Sequence, residues 1–276
     1  MPELPEVQTI VTTLAAKVAG CTIAGVDIVR ADYVHPAGED VAAHLVGRVI
    51  SAVGRRGKRI IFTLDNGEHF LIQLGMTGRL TVEAAGLVRL SHTHVVLTLR
   101  GAGATAIELH LRDPRRFGGM VWLGAAAGDV GLGLEPLTMR PGELRQMLSR
   151  SRRPIKSFLL DQTQLAGLGN IYADEALFKA GIYPLTPANA IAEEVTRKLC
   201  RAIKQVLRLA ILHRGSTLRD YVDAEGGKGG FQHLHNVYNR AEKPCRVCGA
   251  KIRRVVLSGR STCFCPHCQK SRLKAE

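Results

Sequence analysis

Four cysteines near the carboxyl end constrain the fold of this chain more than any other feature. They form two CxxC pairs separated by 16 residues, Cys245 with Cys248 and Cys265 with Cys268. Two such pairs can close a tetrahedral thiolate shell around one Zn²⁺, and a closed shell leaves no position for a catalytic water. The spacing therefore predicts one structural zinc ion per chain. Cys263 and His267 crowd the second pair and leave a small ambiguity in the ligands, although neither repeats the two-residue spacing.

The composition excludes a membrane-spanning protein and favours a reducing compartment. The 276 residues are 46% hydrophobic, yet no run approaches the roughly 20 apolar residues that a bilayer-spanning helix needs. The amino-terminal segment lacks the basic region and apolar block of an export signal. We therefore expect a soluble protein in the cytosol, where disulfides are disfavoured and metal binding is the better use of paired cysteines.

The charge indicates a polyanionic partner. Lysine and arginine number 38 against 24 acidic residues, which gives a formal net charge of +14. The first 150 residues contribute +2 and the remaining 126 contribute +12. Nucleic acid is the commonest polyanion that such a surface binds, and a basic surface kept for solubility is the alternative. The carboxyl-terminal half is the predicted nucleic-acid footprint.

The hydrophobic pattern changes along the chain and predicts an α+β fold. Apolar residues at helical spacing predict a helix over Pro5–Val18. From Thr22 to Leu123, short β-rich runs such as Arg59–Leu64 alternate with turns, which predicts a β-sandwich with one inserted helix. Beyond a Gly- and Ala-rich linker at Gly124–Gly133, the pattern becomes helical.

The second half contains four predicted helices, Pro141–Ser149, Pro154–Asp161, Asn170–Ala180 and Ala190–His213. The third is the clearest, because Asn170 is a candidate N-cap and Gly181 follows the last turn. The glycine-rich stretch Gly226–Gly230 predicts a mobile loop. The resulting division is an amino-terminal β-sandwich over 1–133, a helical domain over 134–234, and a zinc finger with a carboxyl-terminal tail over 235–276.

The amino terminus carries an unusual sequence, Met1-Pro2-Glu3-Leu4-Pro5-Glu6-Val7. Proline at position 2 permits removal of the initiator methionine and leaves a free secondary amine, which is a good nucleophile toward a sugar carbon. The plain alternative is structural, because proline is common at a helix start and glutamate in a first turn favours the helix dipole. Taken alone, this heptapeptide favours the structural interpretation.

Together with further motifs, the heptapeptide resembles the formamidopyrimidine-DNA glycosylase family, bacterial enzymes that remove oxidised purines. The motifs are Arg55-Arg56-Gly57-Lys58, Leu74-Gly75-Met76-Thr77-Gly78, Asp113-Pro114-Arg115-Arg116-Phe117-Gly118, Leu160-Asp161-Gln162 with Gly167-Leu168-Gly169-Asn170-Ile171-Tyr172, and the two CxxC pairs. They occur in the family's order and span nearly the whole chain. The resemblance implies a β-sandwich followed by a helix–two-turn–helix domain that carries the zinc finger.

The resemblance also implies a bifunctional glycosylase and lyase. The Pro2 amine would attack C1′ of the damaged nucleotide, expel the base, and hold the sugar as a Schiff base from which both phosphates are eliminated. Glu3 would act as the acid and proton shuttle at the sugar ring oxygen, and Glu6 would support this site. Lys58 would contact a DNA phosphate and assist catalysis.

The DNA contacts follow from the same resemblance. An enzyme that acts on a base inside a duplex must extrude it, and Met76, Arg115 and Phe117 match the residues that fill the gap. Without the neighbouring motifs, Met76 and Phe117 would be interpreted as core residues. The other implied contacts are Gln73, Arg116, Lys156, Asn170 and Tyr238, together with Arg260, the hairpin-tip arginine that grips the flipped nucleotide's phosphates. Gln73 stands where the family often has histidine, and a solvated surface lysine is the alternative for Lys156.

Two alternatives remain open. Enzymes of the endonuclease VIII type act on oxidised pyrimidines and share the amine, the two-turn motif and the finger, but Leu4 and the long segment Gly215–Phe231 favour the purine enzyme. A non-catalytic zinc-ribbon DNA-binding protein would explain the charge and the cysteines, but not Pro2, Glu3 and Lys58 together. The expected partner is double-stranded DNA containing oxidised bases, bound by a monomer in the bacterial cytosol without membrane association.

Overall fold

The computed structural model describes residues 2–101, 106–126 and 131–270, and these have a mixed helix and sheet fold. The chain divides into two compact units. Unit 1 comprises Met1–Val130 and His213–Gly230, and unit 2 comprises Gly131–Leu212 and Phe231–Glu276. Residues 127–130 of the predicted linker and residues 271–276 of the predicted tail lie outside the described residues.

Unit 1 is built on two β-sheets. Its strands are β1 (Thr22–Ile28), β2 (Val34–His35), β3 (Ile50–Arg56), β4 (Arg59–Leu64), β5 (His69–Gln73), β6 (Arg79–Ala84), β7 (Thr93–Arg100), β8 (Ile107–Arg112) and β9 (Gly119–Gly124). One sheet has the order β2-β9-β5-β4-β3, and the other has the order β1-β7-β8-β6. Two helices accompany the sheets, α1 (Leu4–Val18), which packs against β3 and β4, and α2 (Val41–Leu45).

The two sheets share one hydrophobic core, because side chains alternate between the faces of each strand. Ile60 and Phe62 of β4 are fully buried, and Phe62 stacks on Phe70 of β5 with ring centroids 4.4 Å apart. The same cluster contains Leu97 and Leu109 from the second sheet. This packing confirms the predicted β-sandwich.

The described residues of unit 2 form four α-helices and one β-hairpin. They are α3 (Pro141–Ser149), α4 (Ile155–Leu159), α5 (Asn170–Ala180), α6 (Glu193–Leu212), and the hairpin strands β10 (Arg253–Leu257) and β11 (Arg260–Phe264). Helices α3 and α5 have the predicted bounds. Helix α5 ends at Ala180, and its C-cap is Gly181, whose φ of 71° lies in the left-handed region that glycine tolerates. Across the described part of the chain, every helix is too short or too polar to cross a membrane.

The cap of α5 differs from the prediction. Gly169 is the N-cap, with φ −133° and ψ −161°, and Asn170 is the first helical residue. A capping side chain must sit on a residue with non-helical dihedrals, so the Asn170 carboxamide does not cap this helix. Its Oδ1 atom is buried and has no hydrogen-bond partner among the described residues.

The segment His213–Gly230 belongs to unit 1, whereas sequence analysis placed it in the helical domain. The Val82 N–H of β6 donates to the Ala224 carbonyl at 3.0 Å. Asp223 is fully buried and accepts the Gly227 N–H at 2.9 Å, which folds the glycine-rich stretch around a carboxylate. The three-domain division and the mobility of the loop stay predictions, and the compact units group this segment with the β-sandwich.

One glycine of this segment lies where two backbones meet. A Cβ atom at Gly229 would lie 2.3 Å from the Gly215 carbonyl oxygen and 2.6 Å from the Arg214 carbonyl oxygen. Main-chain atoms cannot move aside as the end of a flexible side chain can. Gly229 is therefore required for packing rather than for flexibility alone.

We predict that Gly229→Ala destabilises unit 1 by about 1–3 kcal/mol, because overpacking forces the backbone to shift. Denaturant unfolding followed by the fluorescence of Trp122, the single tryptophan, reports on this unit. Gly54→Ala in β3 is the matched control, since a Cβ there meets nothing within 4 Å. Equal unfolding midpoints for the two variants would contradict the packing role.

Candidate active site and nucleic-acid interface

The start of α1 places two buried carboxyl groups in the residues that follow Pro2. Pro2 is buried, and Glu3 and Glu6 are 4% and 1% exposed. One Glu6 oxygen accepts the Glu3 N–H at 2.8 Å, and the other accepts the Ser216 N–H at 2.7 Å. These bonds fix the backbone that carries Pro2 and Glu3. A carboxyl group shielded from water in this way is suited to proton transfer.

The segment that caps Glu6 is itself tightly packed. Gly215 has a φ of 76°, and a Cβ atom there would lie 2.6 Å from a Glu6 carboxylate oxygen. The Tyr221 hydroxyl donates to the carbonyl of Arg214 at 3.0 Å and lies 3.4 Å from the carbonyl of Glu6. Burial, reinforced by the negative charge of Glu6, raises the pKa of Tyr221, so its hydroxyl remains a donor. Sequence reasoning identified Glu6 but not its partner segment.

Lys58 lies at the tip of the β3–β4 hairpin. The two-residue turn Gly57-Lys58 has φ 58° at its glycine, the conformation of the first central residue in a type II′ turn. Arg55 donates to the Gly57 carbonyl at 2.9 Å and to the Gln8 side chain of α1 at 2.9 Å. Arg55 thus ties the hairpin tip to the helix that follows Pro2, and Lys58 is half-buried on this tip.

Asp113 joins the two loops that carry the predicted gap-filling residues. Its fully buried carboxylate accepts from the Thr77 hydroxyl at 2.5 Å, the Gly118 N–H at 2.9 Å and the Tyr33 hydroxyl at 3.1 Å. Burial alone raises the pKa of Asp113, but these hydrogen bonds to the ionised form outweigh burial and lower it. Asp113 therefore remains charged and holds both loops.

The two loops approach so closely that side chains are excluded between them. A Cβ at Gly75 would lie 2.4 Å from the Phe117 carbonyl carbon, and a Cβ at Gly118 would lie 2.2 Å from the Gln73 carbonyl oxygen. Gly75 also has φ 58°. Backbone contact at this distance requires glycine at both positions. Gly75 and Gly118 thus allow one loop to pack directly on the other.

The side chains that these loops carry are exposed. Met76 is 43% exposed and Phe117 is 54% exposed, which excludes the alternative that both belong to the core. The Arg115 guanidinium carbon lies 4.5 Å from the centroid of the Phe117 ring, within the range of a cation–π contact. A rigid backbone therefore displays two large apolar groups and one cation to solvent.

Two further predicted DNA contacts lie on the surface of unit 1. Arg116, with φ 52°, is exposed and pairs with Asp32 at 2.7 Å. The hydrogen bond from Arg30 lowers the pKa of Asp32 to about 2, and the charge of Arg116 adds to this effect. Gln73 is exposed at the end of β5. Arg116 is thus paired with Asp32, and a DNA phosphate that binds Arg116 would have to displace this carboxylate or share the guanidinium with it.

In unit 2 the two CxxC pairs come together as predicted. The four sulfur atoms of Cys245, Cys248, Cys265 and Cys268 all lie within 4.8 Å of one another. A tetrahedral Zn²⁺ with Zn–S bonds of about 2.3 Å places its sulfurs about 3.8 Å apart, so this cluster fits a zinc ion. Cys263 and His267 are outside the cluster, which removes the ambiguity in the ligands.

The hairpin of β10 and β11 presents Arg260 at its tip. The turn residues Ser258 and Gly259 have φ values of 49° and 72°, and Leu257 pairs with Arg260 across the ladder. Two consecutive positive φ values are typical of a type I′ turn, which matches the twist of a two-residue hairpin. Arg260 is exposed.

Tyr238 lies on a backbone that a buried acid organises. Glu175 of α5 is 1% exposed and accepts the N–H groups of Asn236, Val237 and Tyr238 at 2.9–3.0 Å. The Tyr238 ring meets His235 edge-on with centroids 5.5 Å apart, and Tyr238 remains half-exposed. Glu175 therefore sets the position of Tyr238.

Lys156 is not on the surface. Its side chain is fully buried, and its ammonium contacts the Asp174 carboxylate at 2.7 Å, the Ser261 carbonyl at 2.9 Å and the Thr262 hydroxyl at 2.9 Å. The Ser261 carbonyl and the Thr262 hydroxyl each accept one of its N–H groups, and the contact with Asp174 is an ion pair. Burial raises the pKa of Asp174, and the adjacent Lys156 opposes that rise. The alternative of a solvated surface lysine is therefore wrong, whereas contact of Lys156 with DNA stays a prediction.

Sequence analysis missed three organising acids, Asp113, Asp174 and Glu175. Helix α5 is buried over Ile171–Leu177, so it has no solvated face for a carboxylate. Acids in such a helix must be paired or hydrogen-bonded, and two adjacent acids among apolar residues are the signal that could have identified them. Asp113 stands inside a recognised motif, but its role depends on a loop far away in sequence.

Comparisons with known proteins agree with this architecture. The family model of the formamidopyrimidine-DNA glycosylase N-terminal domain matches residues 1–120, that of its H2TH domain matches 132–222, and that of a zinc finger found in FPG and IleRS matches 242–270. The formamidopyrimidine-DNA glycosylase of Gluconobacter oxydans is 44% identical, over 98% of this chain and all of the relative.

Solved structures have the same fold. The MutM (Fpg) protein of Thermus thermophilus is 40% identical with a TM-score of 0.85, covering 97% of this chain and 98% of that one. A Lactococcus lactis Fpg mutant, solved in complex with DNA containing Fapy-dG, is 31% identical with a TM-score of 0.89, covering 98% of this chain and all of that one.

Fold and site define a two-unit protein in which Pro2 and two buried glutamates stand at the start of the β-sandwich unit and a helical unit carries a four-cysteine zinc finger. This chain belongs to the formamidopyrimidine-DNA glycosylase family.

We predict that Asp113→Asn destabilises unit 1 by about 2–3 kcal/mol, because the amide NH₂ replaces an acceptor with a donor among the donors that face it. Since the folded-state pKa of Asp113 is lowered, its stabilising effect is present above the pKa of the unfolded chain. It is lost as the pH falls through the lower folded-state value. Trp122 fluorescence in denaturant at several pH values measures both effects.

The exposed Asp65 of unit 1 provides the control. Asp65→Asn should leave both the stability and its acid dependence unchanged. If Asp113→Asn were as stable as Asp65→Asn at neutral pH, the carboxylate would not hold the loops together.

Metal analysis should find one zinc ion per chain, and Cys265→Ser should lose it, because three thiolates leave the shell open. The finger should then unfold and duplex binding should fail, while Trp122 fluorescence reports a folded unit 1. Cys263→Ser is the matched control, since Cys263 is buried beside the shell but outside it. If Cys263→Ser lost the zinc ion and Cys265→Ser kept it, Cys263 rather than Cys265 would be the ligand.

Proposed function

We propose that this protein is a base-excision-repair DNA glycosylase with lyase activity, which removes 8-oxoguanine and formamidopyrimidines from double-stranded DNA. Membership of the family supports the reaction class. The Lactococcus lactis relative in complex with DNA containing Fapy-dG supports the lesion class. The observation that carries the proposal is the amino terminus, where Glu6 holds the buried Glu3 directly after Pro2.

The chemistry begins with the Pro2 amine after removal of Met1. Its nitrogen attacks C1′, the N–C1′ bond forms, and the bond from C1′ to the base breaks with its electron pair leaving on the base. The amine proton passes to the departing base, and Glu3 delivers a proton to the sugar ring oxygen as the C1′–O bond of the ring breaks, which leaves an iminium at C1′. The iminium acidifies the C2′ position, so that loss of a C2′ proton breaks the C3′–O bond first. Loss of a C4′ proton then breaks the C5′–O bond, and each phosphate leaves with the electron pair of its bond.

The β3–β4 hairpin, which carries Lys58 at its tip, supports this reaction from another part of the sequence. The tie from Arg55 to Gln8 couples the hairpin tip to α1. A lysine ammonium there acts as a point charge for a DNA phosphate. Lys58 therefore orients the backbone of the damaged strand in the proposed mechanism.

The exposed side chains on the Asp113 loops fill the gap that base extrusion leaves. Unstacking costs a few kcal/mol per base step, and apolar groups inserted into the stack offset part of that cost. Met76 and Phe117 supply the apolar groups, and Arg115 supplies a cation beside them. Arg116 and Gln73 contact the flanking backbone in this proposal.

Unit 2 supplies most of the sequence-independent affinity. Residues 151–276, most of which belong to unit 2, carry +12 of the net charge, and each phosphate that a cation neutralises releases counterions. Asn170 at the start of α5, Tyr238 and Arg260 are the proposed phosphate contacts. The zinc ion stabilises the finger and takes no part in bond breaking, because four thiolates fill its shell. We further propose that the protein acts as a monomer in the bacterial cytosol.

We predict that borohydride traps a covalent complex of the enzyme with duplex DNA containing 8-oxoguanine opposite cytosine, and that peptide mapping places the adduct on Pro2. An amino-terminal tag should abolish trapping, because it converts the amine to an amide that cannot form an iminium. A carboxyl-terminal tag of the same length is the control and should leave trapping intact.

The same assay on duplexes with oxidised pyrimidines tests the substrate class. Faster trapping on the purine lesion is the expected result. An adduct on a lysine would overturn the assignment of Pro2, and faster trapping on pyrimidine lesions would favour the endonuclease VIII type.

A further inference from the structure

A fully buried ion pair joins α4 to α5 in unit 2. Lys156 and Asp174 both have side chains that are 0% exposed, and Nζ lies 2.7 Å from Oδ1. Replacing such a pair with apolar residues of similar volume is often neutral or stabilising, so a buried pair is weak evidence for a role in stability alone. The other contacts of the pair therefore indicate whether it has a role besides stability.

Three consecutive residues of β11 contact this pair. The ammonium of Lys156 donates to the Ser261 carbonyl and the Thr262 hydroxyl, each at 2.9 Å. The second carboxylate oxygen of Asp174 accepts the Cys263 N–H at 2.9 Å. These residues directly follow Arg260 at the hairpin tip.

The neighbouring residue of α4 reaches the other side of the same turn. The Ser157 hydroxyl lies 3.4 Å from the Ser258 hydroxyl, which stands two residues before Arg260. Helix α4 therefore contacts the chain both before and after the arginine. Thr262 is itself fully buried, so this part of β11 is set into unit 2.

We propose that Lys156 and Asp174 are positioning residues for Arg260: they fix β11 on the helices so that the guanidinium is presented to DNA in one place. The proposal rests on the proposed function, in which Arg260 grips phosphate. An arginine on a fixed backbone loses less freedom on binding than one on a mobile hairpin. Two apolar residues in place of Lys156 and Asp174 could not make these hydrogen bonds to β11.

The test uses the full-length, zinc-loaded chain and a duplex with a tetrahydrofuran abasic analogue, which cannot be cleaved. Lys156→Met combined with Asp174→Leu fills the same interior without polar groups, so the bonds to β11 are lost while the volume is kept. Zinc content and thermal unfolding verify that unit 2 is intact. Thr262→Val is a milder second variant, since it removes one acceptor of Lys156.

The measurement is the slope of log affinity against log salt, with and without Arg260→Ala in each background. In the wild type, Arg260→Ala should reduce the slope by about one, the value for one phosphate contact. The double variant should already show this reduction, and adding Arg260→Ala should change the slope little further. In Thr262→Val, the effect of Arg260→Ala should lie between the two. Non-additivity of this kind identifies residues that act as a unit.

Lys198→Met provides the control, because Lys198 is an exposed cation of α6 in the same unit. In that background Arg260→Ala should keep its full effect. A full Arg260→Ala effect in the double variant would overturn the positioning role while leaving the proposed phosphate contact intact. No effect of Arg260→Ala in the wild type would overturn the phosphate contact and the positioning role together, whereas borohydride trapping at Pro2 tests the chemistry separately.

Discussion

The Glu6 carboxylate accepts one main-chain N–H from its own helix and another from Ser216, 210 residues further along the chain. An ionised carboxyl group in a buried position is unfavourable unless hydrogen-bond donors replace the lost water. If either segment moved away, the Glu6 carboxylate would lose a donor and remain buried, so each segment holds the other in place. Asp113 joins two loops in the same way, and Glu175 gathers the backbone before Tyr238. The functional segments of this protein are organised around buried acids.

This arrangement also shapes the surface. Seven of the 24 acidic residues are buried within the described part of the chain, Glu3, Glu6, Glu108, Asp113, Asp174, Glu175 and Asp223. Because they are buried, these carboxyl groups place no negative charge on the surface that would repel a phosphate. Lysines and arginines, by contrast, mostly keep their charged ends in water. The buried acids thus stabilise the fold, and the surface of the protein carries the excess of positive charge.

Local chemistry could be predicted from the sequence, and long-range pairing could not. The bounds of α5 follow from Gly181 and the helical period, and the zinc ligands follow from spacing along a few residues. The exposure of Met76 and Phe117 came from the resemblance, since their side chains alone suggest a core. Lys156 was misplaced because its partner Asp174 and the strand that they hold are remote in sequence. A lone lysine on a short helix gives no sign of burial.

Adjacent residues of α5 hold the chain on both sides of the first CxxC pair, because Glu175 binds it at Tyr238 and Asp174 binds it at Cys263, two residues before the second pair. The helix therefore closes this segment into a loop by contacts that do not involve the metal. Loop closure is the main entropic obstacle to gathering distant ligands, and closing it in advance raises the effective concentration of the two CxxC pairs for each other. The folded helical unit should consequently bind zinc more tightly than the isolated finger peptide. Metal loading would then follow the folding of α5.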